Sequence, residues 1–222
     1  MLDNIRWDAD LIRRYDLSGP RYTSYPTAVQ FHEGVGPFDL LHALRDSQKA
    51  QRPLSLYVHV PFCANICYYC ACNKVITKDR GRSAPYLARL IHEIEIVSRH
   101  LGRQQPVEQL HFGGGTPTFL SPGQLRELMA QLRTHFHFAE GDFGDYGIEI
   151  DPREADWSTM GLLRELGFNR ASIGVQDFNL DVQQAINRLQ SLDETRAIID
   201  AARTLQFRSI NIDLIYGLPK QT

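Results

Sequence analysis

The chain has 222 residues, of which 43% are hydrophobic and 23% are charged, and its formal net charge is −2. This is the composition of a globular protein with a real core, and the length favours one domain or two. A nearly neutral chain has no electrostatic reason to bind nucleic acid or an anionic membrane surface, so neither is predicted as a partner.

The N-terminal segment MLDNIRWDADLIRRYD carries charges throughout and has no apolar core, so it does not resemble a secretory signal. No apolar run approaches the roughly 18 residues that a membrane-spanning helix needs. We therefore expect a cytoplasmic location, where thiols stay reduced.

Residues 1–50 are predicted to form an N-terminal extension, or arm. It contains helical patterns at Asp8–Tyr15 and Phe38–Gln48, separated by the stretch SGPRYTSYPTA at Ser18–Ala28. The prolines, the glycine and the small hydroxyl residues of that stretch argue against regular structure.

From residue 51 to residue 222, predicted strands and helices alternate. The strands are SLYVHV, VEQLHF, GIEID, RASIGVQ and RSINIDLIYGLP, and the helices between them are PYLARLIHEIEIVSRHL, SPGQLRELMAQLRTHF, WSTMGLLRELG and SLDETRAIIDAARTL. In the second of these helices, Ser121 is predicted as the N-cap, with Pro122 at the first helical position. The alternation predicts an α/β fold with a parallel sheet, either open or curled into a barrel. It stops after the fifth strand, so we expect the chain to be a fragment of a longer barrel.

An unusual sequence cluster follows each predicted strand. The clusters are PFCANICYYC, GGGTPT, DPRE, QDFN and YGLP. Ligands of such folds gather at the carboxyl ends of the strands. Each cluster alone is more often an ordinary turn, but five on one edge of a sheet predict a binding site there.

All four cysteines of the chain lie in the first cluster, at Cys63, Cys67, Cys70 and Cys72. Clustered thiols in a reducing compartment indicate metal binding or redox chemistry. Three thiolates in one loop can hold three corners of an iron–sulfur cubane and leave the fourth iron open to a small molecule. The alternatives are a zinc site with all four thiols, a closed four-cysteine cluster, and unligated core thiols.

The stretch HFGGGTPTFL places three glycines where the second strand ends, and glycine allows the backbone to approach a ligand closely. Glu149 and Asp213 interrupt apolar strands, and a buried carboxylate is costly unless it is paired. Each could pair with a structural arginine, or could accept hydrogen bonds from ribose hydroxyls or an ammonium group. Gln176 could donate and accept hydrogen bonds, and Arg188 could bind a carboxylate bidentately.

The spacing C-x3-C-x2-C, with an aromatic residue before the third cysteine, resembles the signature of the radical S-adenosylmethionine (SAM) enzymes. Over residues 18–222 the chain further resembles the oxygen-independent coproporphyrinogen III oxidase family, in the segments YTSYPTA, HVPFC, CYYCACNK, HFGGGTPT, EIDPRE, GFNRASIGVQDFN, INR and NIDLIYGLPKQT. Cys72 and the arm GPRYTSYPT distinguish this pattern from that of the related haem chaperones. A chaperone that binds haem without decarboxylating it stays the alternative function.

The resemblance implies a radical SAM (β/α) barrel, here partial, with a 4Fe–4S cluster and two SAM molecules. The implied cluster ligands are Cys63, Cys67 and Cys70, whereas Cys72 is not expected to be a ligand. The cluster-bound SAM would be held by Tyr57, Tyr69, Gly114 and Glu149. The second SAM would contact Gly115, Thr116, Gln176, Arg188 and Asp213.

The activity that the resemblance implies is oxidative decarboxylation of two propionates of coproporphyrinogen III to vinyl groups, through a 5′-deoxyadenosyl radical, in haem biosynthesis. A radical is needed because the propionate β-carbon hydrogen is too weakly acidic for a side-chain base. The implied partners are the tetrapyrrole and a flavodoxin- or ferredoxin-like electron donor, and the protein is expected to be a monomer. Arg21 and Tyr22 in the arm could cover the site or contact substrate carboxylates, although an ordered connector is an equal alternative.

Overall fold

The computed structural model describes residues 7–16, 27–102, 104–139 and 143–222. The chain divides into two compact units, residues 1–42 and residues 43–222. The arm GPRYTSYPT, with Arg21 and Tyr22, lies outside the described residues except for Thr27, so its predicted role stays a prediction. The domain boundary predicted near residue 50 also stays a prediction.

Seven helices and eight strands run through the described residues in the following order. The helices α1 to α7 span Ala9–Tyr15, Pro37–Lys49, Ser83–Ser98, Pro122–His135, Trp157–Glu165, Leu180–Ala185 and Leu192–Thr204. The strands β1 to β8 span Leu54–Val60, Phe62–Cys63, Val75–Ile76, Pro106–Gly114, His137–Phe138, Asp145–Ile150, Arg170–Gln176 and Ser209–Leu214. Within the described ranges, no helix is long and apolar enough to cross a membrane.

The main sheet has the strand order β1-β4-β6-β7-β8, and all of these neighbouring strands are parallel. Each strand therefore adds to the same edge as the one before it. This is the order of a (β/α) barrel, whereas a doubly wound sheet reverses direction part-way. The structure confirms the five predicted strands. Of the two arrangements that the sequence allowed, an open sheet or a barrel, the observed strand order is that of the barrel.

The two faces of the sheet differ in polarity because successive strand residues point to opposite sides. Apolar strand residues, among them Val60, Phe112, Ile148 and Ile173, are buried and belong to a core that the helices complete. Residues at alternate positions, such as Glu149, are polar and only partly buried. The polar face, together with the strand ends, is therefore available for a ligand site.

Helix capping follows the sequence closely. The side chain of Ser121 accepts a hydrogen bond from the backbone of Gln124, whose own side chain bonds back to the Ser121 backbone, and Pro122 opens α4. The N-cap and first-turn prediction is thus confirmed. Helix α5 is followed by Gly167 at φ +97°, a conformation that glycine adopts without strain.

Four short elements were not predicted: β2, β3, β5 and α6. Three of them are strands of two residues, which are too short to show any hydrophobic periodicity. Helix α6 has only six residues, and its sequence LDVQQA lies between the strand-end cluster QDFN and the next predicted helix, where no element was predicted.

Candidate active site

The cysteine loop, residues 61–74, leaves the carboxyl end of β1 and is closed at its base by the parallel pairing of β2 with β3. The ring nitrogen Nε2 of His59 lies 2.8 Å from the carbonyl oxygen of Asn73. Lys74 donates a hydrogen bond from Nζ to the carbonyl oxygen of Cys70 at 2.8 Å. The first contact ties the end of the loop to β1, and the second braces the loop internally.

The middle of the loop is held by α6 and the residues after it. The backbone N–H of Tyr68 donates to the carbonyl oxygen of Ile186 at 3.0 Å. Asn187 donates from its side chain to the carbonyl oxygen of Ile66 at 2.7 Å. The ring of Tyr69 packs against an apolar cluster formed by Val182, Ile186 and Leu218. The helix that the sequence did not reveal thus positions the predicted ligand loop.

The thiols of this loop differ in exposure. Cys63, Cys67 and Cys70 are partly buried, whereas Cys72 is exposed. Burial raises the pKa of the Cys63 thiol, and the neighbouring thiols add to this, although a hydrogen bond from Thr116 opposes it. The Thr116 hydroxyl lies 3.6 Å from the Cys63 sulfur.

The glycine run packs directly against the start of the cysteine loop. The N–H of Thr116 donates to the carbonyl oxygen of Phe62 at 2.8 Å. A Cβ atom on Gly115 would lie 2.7 Å from that same oxygen, and one on Gly114, at φ +110°, would lie 2.6 Å from the His59 ring. Gly115 therefore allows its backbone to approach the backbone of Phe62, and Gly114 leaves room for the His59 ring. These packing requirements are additional to any ligand that the run holds.

Glu149 projects from β6 beside the glycine run. Its carboxylate accepts a hydrogen bond from the N–H of Gly114 at 3.1 Å and lies 3.5 Å from Nε2 of His111. These are its hydrogen-bond partners among the described residues, so the structural arginine considered from the sequence is not found there. The carboxylate keeps acceptor capacity on the side that lines the pocket.

Asp213 and Gln176 lie at the ends of β8 and β7. Asp213 accepts hydrogen bonds from the hydroxyl of Ser172 at 2.8 Å and from the amide of Asn211 at 2.9 Å. Gln176 has φ +70°, an unusual value for a residue with a side chain, and the register of β7 and β8 shifts between Gly174 and Gln176. Such local irregularity is common beside functional sites.

Asp151, in the DPRE cluster after β6, binds two arginines at once. Arg153 donates to it at 2.6 Å and 2.9 Å, and Arg188 donates to it at 3.0 Å. Arg188 also donates to the carbonyl oxygen of Gly174 at 2.7 Å. Burial acts to raise the pKa of Asp151, but the two arginines outweigh it and hold that pKa below its usual value. The carboxylate is therefore ionised at neutral pH.

One pocket collects nearly the whole predicted site. It is lined by Cys63, Cys67, Tyr69, Cys70, Gly114, Gly115, Thr116, Glu149, Gln176, Arg188 and Asp213. Sequence reasoning missed Lys74, Asp151, Arg153 and Ser172, which line it as well. The DPRE cluster was noted as unusual, but nothing local shows which of its charges face a site.

Tyr57 is the one predicted site residue that does not line this pocket. Its side chain is 59% exposed, and its ring stacks on His111 with centroids 6.0 Å apart. Its hydroxyl lies 3.0 Å from Nδ1 of His59. The predicted SAM contact of Tyr57 therefore stays a prediction.

Comparison with known proteins gives the family. The model of the radical SAM superfamily matches residues 57–222. The chain belongs to the radical SAM superfamily.

Two curated relatives of the chain carry the same enzyme name. The chain is 84% identical over 222 residues to the oxygen-independent coproporphyrinogen III oxidase of Pseudomonas aeruginosa, and 49% identical to that of Escherichia coli K12. These alignments cover 100% of this chain but 48% and 47% of the two relatives. A solved structure of the E. coli coproporphyrinogen III oxidase, described as a radical SAM enzyme, superposes with a TM-score of 0.87 at 46% identity, over 98% of this chain and 48% of that one. The chain thus spans about half the length of the curated relatives it matches.

The cofactors of a radical SAM protein are a 4Fe–4S cluster and SAM, and the donor set of the pocket fits them. No three Cys, His, Asp or Glu side chains in the described ranges converge as a single metal ion would require. A cubane differs because each thiolate binds its own iron, so the sulfurs need not converge on one point.

A second observation also fits a bound group. The Nε atom of Arg188 is buried and has no hydrogen-bond partner among the described residues. Buried polar atoms are rarely left unpaired unless a ligand, ion or water completes the site. Since Arg188 lines the pocket, its free donor is available to a cofactor.

Proposed function

We propose that the full-length protein containing this chain catalyses the oxygen-independent decarboxylation of coproporphyrinogen III to protoporphyrinogen IX, a step of haem biosynthesis. The observation that carries the proposal is the 84% identity, over every residue of the chain, to a curated enzyme of that name.

In this proposal the chain's own residues bind and orient the cofactors. Cys63, Cys67 and Cys70 would hold the cluster through their thiolates, and one SAM molecule would bind beside it. Glu149, already fixed by the Gly114 N–H, would accept hydrogen bonds from that SAM molecule. The preformed geometry lowers the entropic cost of alignment.

The other pocket residues complete the arrangement. Tyr57 and Tyr69 are proposed to contact the same SAM molecule, and Tyr69 is already positioned by its packing against α6. A second SAM molecule would contact Gly115, Thr116, Gln176, Arg188 and Asp213. When bound, the cofactors supply the one-electron chemistry that removes an unactivated hydrogen, while the protein supplies position and exclusion of water.

The surroundings of the reaction are part of the proposal. Four free thiols close together support a reducing, cytoplasmic location. A flavodoxin- or ferredoxin-like protein would supply the electron, and the enzyme would act as a monomer without binding nucleic acid or membrane.

The test is an anaerobic assay of the full-length protein, reconstituted with iron and sulfide and given coproporphyrinogen III, SAM and a chemical reductant. We expect the product to contain two vinyl groups in place of two propionates, with release of CO2. The Cys67→Ala variant should give neither product. Tight haem binding without any vinyl product would instead favour the haem chaperone.

A further inference from the structure

The arginines beside Cys67 leave an excess of buried positive charge. Arg153 and Arg188 share the single carboxylate of Asp151, so the group carries one net positive charge. The side chains are 18%, 8% and 9% exposed respectively. Burying a charge is costly unless it is balanced; the carboxylates of Glu149 and Asp213 line the same pocket, and the sulfur of Cys67 lies beside both arginines.

The excess charge is directed at one sulfur atom. Nη1 of Arg188 lies 3.5 Å from the sulfur of Cys67, and Nη2 of Arg153 lies 3.9 Å from it. The sulfur of Cys63 instead receives the neutral hydroxyl of Thr116. The predicted ligand sulfurs therefore lie in unequal electrostatic surroundings.

We propose that Arg153, anchored by Asp151, is a positioning residue whose charge at the Cys67 sulfur raises the reduction potential of the cluster. This inference rests on the proposed ligand role of Cys67. Cluster potentials respond to nearby charge and to hydrogen bonds on the ligand sulfurs.

The direction of the effect follows from charge balance. An oxidised cubane core with two positive charges and three thiolate ligands carries one net negative charge, and one electron from an external donor makes it two. No bond forms or breaks in this step. A fixed cation beside a ligand sulfur therefore stabilises the reduced state more than the oxidised state.

Arg153 is the better of the two arginines for a test. Arg188 is itself a predicted SAM contact, so its replacement would change cofactor binding as well. Arg153 is held mainly by Asp151, through both Nε and Nη2, and carries no other predicted role.

The experiment uses the full-length protein, reconstituted anaerobically, with variants Arg153→Gln, Arg153→Lys and Asp151→Asn. Iron and sulfide are measured first, and the midpoint potential is then determined without SAM by a redox titration followed by electron paramagnetic resonance. We expect Arg153→Gln to retain its iron and sulfide but to weaken reduction about tenfold or more, which for one electron is about 59 mV toward negative potential. Arg153→Lys keeps the charge but loses the forked geometry, so its shift should be smaller.

Asp151→Asn supplies the decisive comparison because it removes the negative charge and should move the potential in the positive direction. Arg126→Gln is the matched control, since Arg126 pairs with Glu165 on the exposed surface and should change nothing. Equal potentials in Arg153→Gln and the parent protein would overturn the inference. The inference would also be overturned if Arg153→Gln and Asp151→Asn shifted the midpoint potential in the same direction. Equal loss of the cluster from both variants would overturn it too, because either result indicates a structural role. Failure of the proposed ligand set is seen separately, as a cluster that survives Cys67→Ala.

Discussion

At the scale of single residues, the surroundings of each glycine decide what that glycine contributes. Gly115 lies where a Cβ atom would come within 2.7 Å of a backbone oxygen, whereas Gly161 on α5 has no atom within 4 Å of such a position. The first glycine is required by close packing. The second lowers the stability of a helix without any packing role.

Replacing these two glycines by alanine should therefore have opposite effects on stability. We expect Gly115→Ala to lower the free energy of unfolding by about 1–3 kcal/mol, because the backbone must shift to relieve the contact. Gly161→Ala should raise it by about 0.5–1 kcal/mol, because alanine loses less conformational entropy in a helix. Urea denaturation followed by circular dichroism measures both, and a stable Gly115→Ala variant would contradict the packing argument.

The four cysteines also differ in their exposure and in their expected role as cluster ligands. Cys72 is exposed, whereas Cys63, Cys67 and Cys70 are partly buried. We expect Cys72→Ala to keep the iron and sulfide content of the reconstituted protein, while Cys70→Ala loses most of it. Metal and sulfide analysis of the two variants decides this. A Cys72→Ala protein without a cluster would show that the ligand assignment is wrong.

At the scale of elements, α5 shows how one cap couples helix stability to pH. The carboxylate of Asp156 accepts hydrogen bonds at 2.8 Å from the N–H and the hydroxyl of Thr159 and from the hydroxyl of Ser158. The backbone bond from Thr159, and then the side-chain bonds, lower the pKa of Asp156. Because the folded-state pKa lies below the unfolded value, the stabilisation is present above the unfolded pKa of about 3.9 and is lost as the pH falls through the folded value.

Two replacements of Asp156 test this cap. Asp156→Ala should lower the free energy of unfolding by about 1 kcal/mol at pH 6, since the cap is lost. Asp156→Asn keeps an acceptor oxygen without a titrating group, so its stability relative to the parent protein should improve as the pH falls below about 4. Urea titrations from pH 6 to pH 3 measure the difference, and a difference that does not change with pH would rule out this linkage.

At the scale of the whole molecule, the sheet is covered unevenly. The central strands β4 and β6 carry buried apolar residues against the helices, whereas on the last strand Ile212 is 44% and Leu214 is 61% exposed. Among the described residues, β8 pairs only with β7. An edge strand with exposed apolar side chains is a site at which chains associate.

We therefore expect the 222-residue chain by itself to self-associate, and Leu214→Lys to reduce that association. Leu192→Lys is the matched control, because Leu192 is 53% exposed but lies at the start of α7 and not on a strand. Sedimentation velocity over a range of concentrations measures the effect. Equal association of the two variants would exclude the edge as the cause.

Much of this molecule is determined by local sequence. The structure contains the predicted helices and main strands because the signals that specify them are local. These signals are the periodicity of apolar residues, the N-cap residues and the glycines that end helices, and each acts over a few residues. The site was predicted for the same reason, since the cysteine, glycine and carboxylate clusters each follow a strand, and parallel strands end at one edge. The sequence by itself therefore predicted the α/β fold and a binding site at that edge, while the family resemblance implied which residues take part in it.

The tertiary structure alone decided how these parts meet. It chose the sequential strand order, brought α6 under the cysteine loop, left Tyr57 outside the pocket lining, and paired Asp151 with both Arg153 and Arg188. The physical reason is that a charged side chain takes whichever partner packing brings near it. Arg153 and Arg188 are 86 and 121 residues from Cys67 in the chain, so no local pattern records their contact with its sulfur, and the folded sheet alone brings their charge beside it.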